Sequence, residues 1–217
     1  MEAKMRKAES LQKIAMAVLM IILGTVFLLP IKAQAAISTS TLTNLQTAFN
    51  GESNANAKYL AYAKKADEEG YNRVGRLFRA AARAEAIHAQ NHAKVIRSMG
   101  AEPVTEIKLP EIKSTKANLE DAISGETYEQ KEMYPEFLKQ AAEDNDQEAD
   151  QTFRYAREAE IEHARLYMLA LNNLEEWKVA DRQFNVCPIC GFTVEGKPSF
   201  IDCPVCATPA EKYLSIS

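Results

Sequence analysis

One pattern is written twice along this chain, and it limits what the chain can become. Gly51-Glu52-Ser53 is followed, one helix later, by Glu85-Ala86-Ile87-His88. Gly125-Glu126-Thr127 is followed, at almost the same separation, by Glu160-Ile161-Glu162-His163. A glutamate three residues before a histidine shares its helical face, about one turn away. One Glu from each of two helices, with Glu-x-x-His from each of two others, is the donor set with which a four-helix bundle holds two bridged metal ions. A repeated helix pair supplies the near two-fold arrangement such a site needs. A single Glu-x-x-His is usually a solvated face; the duplication makes a metal core the better reading.

The hydrophobic spacing agrees. Leu45, Phe49, Tyr59, Tyr62 and Ala66 recur at helical steps and predict a first helix from about Thr43 to Glu69, ended by Gly70. A second runs from about Asn72 to Met99 and stops at Gly100, with Pro103 beyond. Residues 101–114 carry Pro103 and Pro110 and read as the long crossover between helix pairs. Ser114 or Thr115 caps a third helix to about Glu143, which Pro135 should bend. Asp144-Asn145-Asp146 breaks the chain before a fourth helix to about Leu174. The expected fold is thus an all-α four-helix bundle of the ferritin-like kind over residues 36–180, with a small metal-binding domain at 181–217.

Glu129 falls three residues after Glu126 and adds a fifth inward acid. The expected inward set is Glu52, Glu85, His88, Glu126, Glu129, Glu160 and His163. Five carboxylates facing a dry core are costly unless cations neutralise them. Carboxylates with a few imidazoles suit iron or manganese. Tyr59 and Tyr134 lie about two turns after Glu52 and Glu126, placed to hydrogen-bond a ligand carboxylate or to pack as core aromatics. His92, four residues after His88, has no counterpart in the second half, where Tyr167 stands, and reads as a surface histidine or one lying behind the ligands.

Cys187, Cys190, Cys203 and Cys206 form two C-x-x-C knuckles a dozen residues apart, the spacing of a four-thiolate metal site. With Pro188, Gly191, Gly196, Pro198, Pro204 and Pro209 around them, these residues are too few for a core of their own and need a metal to fold. The formal net charge of -4 offers no basic surface for nucleic acid. At the N-terminus, Lys4 to Lys13 leads into an apolar run from Ile14 to Leu29 and then Ala33-Gln34-Ala35. This reads as a signal peptide over residues 1–35 and predicts export, with an uncleaved membrane anchor as the alternative.

The stretches AFNGESNANAKY, ARAEAIHA, ISGETYEQKEMYPEF, AEIEHARL and CPICGFTVEGKPSFIDCPVC together resemble rubrerythrin, over roughly residues 43–217. The resemblance implies a peroxidase with two non-haem irons in the bundle and a rubredoxin-type Fe(Cys)4 centre, zinc being the alternative there. Electrons would pass from a donor protein or reductase through the cysteine centre to the di-iron centre and reduce hydrogen peroxide to water. It implies a homodimer in which one subunit's cysteine centre lies near its partner's di-iron site. Glu52 and Glu126 match terminal carboxylates, Glu85 and Glu160 bridging ones, and His163 the ligand of the other iron. One iron would exchange Glu129, when oxidised, for His88, when reduced. Tyr59 and Tyr134 match tyrosines near the site. A ferroxidase or iron-handling protein is the competing function, which the cysteine module disfavours. The signal peptide departs from the cytoplasmic pattern of the family and leaves the electron donor open.

Overall fold

The computed structural model describes residues 39–178 and 183–216. The expected signal peptide lies outside them. Five α-helical segments build the bundle: α1 (Thr39–Glu68), α2 (Asn72–Ser98), α3 (Thr115–Tyr128), α4 (Tyr134–Glu143) and α5 (Gln147–Asn172). The third expected helix is therefore two segments, α3 and α4, joined by a π-helical turn at Glu129–Met133. Among the described residues, no helix is long and apolar enough to cross a membrane.

The helix ends follow from local chemistry. Gly70 and Gly100 take φ of 83° and 78°, and Asn145 takes 56°. Each lets the next amide fold back, to Ala66, Ile96 and Ala141 respectively, at 2.8, 3.1 and 2.9 Å. Ser114 caps α3 by accepting from the Ala117 amide, and Asp146 caps α5 by accepting from Ala149. The crossover at 101–114 is held by amides spaced four apart on α1. Gln46 bonds Glu102 and Val104, Asn50 bonds Thr105 and Glu106, and Asn54 bonds Glu106 and Lys108, at 2.7–3.1 Å.

Two apolar clusters fill the bundle, and the chemistry lies between them. Tyr59, Tyr62, Phe78, Leu119, Leu166 and Tyr167 belong to one cluster. Leu45, Ile96, Tyr134, Phe137, Phe153 and Ala156 belong to the other. On every long helix the ligand turn sits at the changeover. Glu52 falls between Leu45 and Tyr59, Glu85 and His88 between Phe78 and Ile96, Glu126 between Leu119 and Tyr134, and Glu160 and His163 between Ala156 and Leu166. Burying such an aromatic or leucine side chain is worth about 1.5–3 kcal/mol. The clusters thus supply the stability that buried carboxylates cost.

The cysteine module is a three-stranded antiparallel sheet of order β2-β1-β3, with β1 (Phe184–Val186), β2 (Thr193–Glu195) and β3 (Leu214–Ile216). Phe184 and Val186 join the first apolar cluster beside Trp177, so the module borrows the bundle's core. The Arg73 guanidinium lies 3.9 Å over the Trp177 ring and pairs with Glu195 of β2.

The π-turn has a sequence cause. Tyr59 follows Glu52 by seven positions, but Tyr134 follows Glu126 by eight. One helix turn absorbs the extra residue by widening. The Tyr134 amide reaches back to the carbonyl of Glu129 instead of Gln130. Pro135 has no amide to offer Gln130 in its place. The orphaned Gln130 carbonyl accepts from Arg157 Nε of α5 at 3.1 Å. Arg157→Met removes that donor and is expected to cost about 1–3 kcal/mol in chemical denaturation. A loss below about 0.5 kcal/mol would show that the turn does not depend on it.

Candidate metal centre

Glu52, Glu85, His88, Glu126, Glu160 and His163 are each at most 1% exposed. They form two overlapping groups, Glu52-Glu85-His88-Glu160 and Glu85-Glu126-Glu160-His163, whose donor atoms lie within 4.8 Å of one another. The shared members are Glu85 and Glu160, and the distances show how they are shared. Glu85 puts Oε2 at 2.9 Å from His88 Nδ1 and Oε1 at 3.4 Å from His163 Nδ1. Glu160 puts Oε1 at 2.9 Å from His88 Nδ1 and Oε2 at 2.7 Å from His163 Nδ1. Each turns one oxygen to each half, so these two are the carboxylates that would be shared by a pair of cations held there. Glu52 serves the His88 side and Glu126 the His163 side, at 3.8 and 4.0 Å.

The tyrosines cross over. Tyr59, on the same helix as Glu52, donates to Glu126 Oε1 at 2.6 Å, and Tyr134 donates to Glu52 Oε1. His92 is fully buried, so the surface reading of it is wrong. Its Nε2 lies 3.2 Å from the Tyr134 hydroxyl and its Nδ1 3.0 Å from Thr152 Oγ1, which places it behind Tyr134 and Glu52. Thr152 lies on α5, remote in sequence, and nothing near His92 announced it. Glu129 stands at the first position of the π-turn, half-buried and outside both donor groups. It is near enough for burial and the charges of Glu52 and Glu126 to push its carboxyl well above the usual range.

Several observations test whether cations fit. Glu52 Oε2, Glu85 Oε1, Glu126 Oε2 and Glu160 Oε1 are buried without a hydrogen-bond partner. Such oxygens are costly unless something positive meets them. The outer histidine nitrogens settle which inner atoms are free. His88 Nε2 lies 3.0 Å from the Cys190 carbonyl, which can only accept, so Nε2 carries the proton. Thr193 Oγ1 donates to the Gly191 carbonyl at 2.9 Å and so accepts from His163 Nε2 at 3.0 Å. Both Nδ1 atoms face the carboxylates, at 2.9 Å from Glu85 and 2.7 Å from Glu160, and would give their lone pairs to cations held there, the arrangement of a metal ligand. Four carboxylate charges balance two divalent cations.

Without cations the cluster can hold its balance only with protons. Burial, then the charges of Glu160 and Glu52, push Glu85 up to about 7. Burial and Glu160 push Glu126 well above its usual range. Burial alone would lower His88 and His163, but their pairing with Glu160 more than reverses it and raises both.

The four cysteines are free thiols whose donor atoms also lie within 4.8 Å of one another. Cys187 Sγ is 3.4 Å from Cys206 Sγ, and Cys190 Sγ is 3.5 Å from Cys203 Sγ. A tetrahedron of about 2.3 Å metal–sulfur bonds has edges near 3.8 Å, so the four sulfurs need little movement to take an ion. Donation from Cys190 lowers the Cys187 thiol to about 4.

These features define a ferritin-like di-iron carboxylate bundle with a rubredoxin-like cysteine domain. The rubrerythrin family model matches residues 43–171. Nigerythrin from Nitratidesulfovibrio vulgaris is 39% identical over 176 residues, covering 80% of this chain and 85% of that protein. Rubrerythrin-2 from Clostridium acetobutylicum is 36% identical, covering 78% of this chain and 92% of that protein. The structure of fully reduced, all-ferrous nigerythrin superposes with a TM-score of 0.75 at 38% identity, covering 81% and 86% of the two chains. A Desulfovibrio desulfuricans bacterioferritin, at 24% identity and a TM-score of 0.60, shares the fold. The chain belongs to the rubrerythrin family, whose members are generally oxidoreductases. The family binds a di-iron centre and a rubredoxin-type iron, and this chain carries donors for both.

Two predictions follow from the geometry. Glu160→Gln should weaken binding at both bundle positions, and Glu126→Gln mainly at one. Metal analysis should find fewer than about one bundle metal per chain in the first variant and about one in the second. Stripping the cysteine metal with a chelator under reducing conditions should release the module. Trp177, the single tryptophan, reads this as a red shift in fluorescence. An unchanged spectrum would show that the module holds its place without metal.

Proposed function

We propose that this chain is a non-haem di-iron peroxidase that reduces hydrogen peroxide to water and protects against oxidative stress. The observation that carries the reading is the 3.0 Å contact between His88 Nε2 and the Cys190 carbonyl. A ligand candidate of one centre touches a ligand residue of the other, which gives electrons a short bonded route between them. An iron store has no use for that route.

When bound, the two bundle irons supply two electrons to the O–O bond, and two protons complete two waters. The chain's own residues govern the surroundings. Tyr59 and Tyr134 are buried beside carboxylates, which pushes both phenols well above their usual range. They therefore keep their protons at neutral pH and hold Glu126 and Glu52 in place. Glu129, on the widened turn, is the spare carboxylate that can exchange with His88 as a donor. The apolar clusters on either side exclude bulk water.

In this reading electrons enter the cysteine centre from a donor protein or reductase, and the chain works as a homodimer outside the cytoplasm. The export proposal rests on the Lys4–Lys13 stretch, the apolar run and Ala33-Gln34-Ala35. In the described chain the cysteine module lies on its own bundle. The approach that the resemblance assigns to a partner subunit is thus available within one chain.

Stopped-flow oxidation of chemically reduced protein is the test. Peroxide should reoxidise the bundle centre faster than dioxygen does, and Glu129→Ala should lower peroxide turnover by about 10²-fold. Faster reaction with dioxygen, together with deposition of many irons per chain, would make the protein a ferroxidase instead.

A further inference from the structure

The outer hydrogen bonds of the two bundle histidines come from a different domain. His88 and His163 lie on α2 and α5, but their Nε2 atoms meet Cys190 and Thr193 of the cysteine module. Gly191 stands between these contacts at φ 77°, where a Cβ would run into the His88 ring. The backbone comes this close because glycine is there. Asn91 Nδ2 donates to the Ile189 carbonyl at 2.8 Å and anchors the same knuckle.

The two contacts differ in kind. His88 meets a backbone carbonyl, which any residue at position 190 would supply. His163 meets a side chain, the fully buried Thr193 hydroxyl. That hydroxyl has one proton, which goes to the Gly191 carbonyl at 2.9 Å. Its oxygen is then left to accept, and His163 Nε2–H is what it accepts from.

We propose that Thr193 is a positioning residue for metal binding in the bundle. It holds His163 with Nε2 protonated and Nδ1 aimed among the carboxylates, where its lone pair would meet a bound cation. Docking of the cysteine module thereby raises the affinity of the di-metal site. The proposal rests on the cluster binding metal and is independent of the peroxidase reading. Outer hydrogen bonds to metal-bound histidines typically change metal affinity by about 10–100-fold.

Zinc is a redox-silent, diamagnetic probe that accepts His and carboxylate donors. The full chain, loaded with zinc and ¹⁵N-labelled at histidine, is compared as wild type, Thr193→Val and Thr193→Ser. Two quantities are read: exchange of the His163 Nε2 proton with water, and zinc affinity of the bundle by chelator competition. Thr193→Val should speed the exchange at least about 10-fold and weaken binding by about 10–100-fold. The His88 proton should stay as in wild type, which reports that the module is still docked. Thr193→Ser should restore both quantities. A valine variant that behaves like wild type overturns the proposal. So does a serine variant as impaired as valine, since packing would then be at issue and not the hydroxyl. Zinc reduces no peroxide, so failure of the peroxidase reading would leave these measurements unaltered.

Discussion

Four glutamates and two histidines share the dry midsection of this bundle, and the ion pairs of those glutamates, among the described residues, are all with histidines. Uncompensated charge at that depth would cost several kcal/mol per group. Much of the rest of the structure answers to this constraint. The aromatic clusters on either side stabilise helices that would otherwise splay to hydrate their acids. The crossed tyrosines satisfy one oxygen of each terminal glutamate. The cysteine module caps the outer nitrogens of both imidazoles. Divalent cations complete the balance.

Much of this was legible in the sequence because it is local. Glu-x-x-His pairs, glycine stops and C-x-x-C knuckles act over one or two helical turns, so their residues announce themselves together. The π-turn was also legible, as the eight-residue step from Glu126 to Tyr134 against the seven-residue step from Glu52 to Tyr59. One extra residue is small against two turns, and Pro135, whose missing amide leaves a carbonyl for Arg157, marks the place.

What was not legible depends on contacts between remote segments. Nothing around His92 says that Thr152 will bury it. Nothing around Thr193 says that it will face His163, thirty residues away. The assignment of Glu85 and Glu160 as bridges came from resemblance. In the structure each divides its two oxygens between the two imidazoles, a placement that depends on four helices at once.

The donors around the two cation positions correspond closely: one terminal glutamate, one histidine and two divided carboxylates each. Left so, neither position would differ from its neighbour in kind. Glu129, three residues after Glu126 and at the start of the widened turn, has only Ala55 at the matching place in the first half, and the charge it feels most strongly is that of Glu52. The cage is therefore unequal, with an additional acid beside one half and none at the matching place in the other.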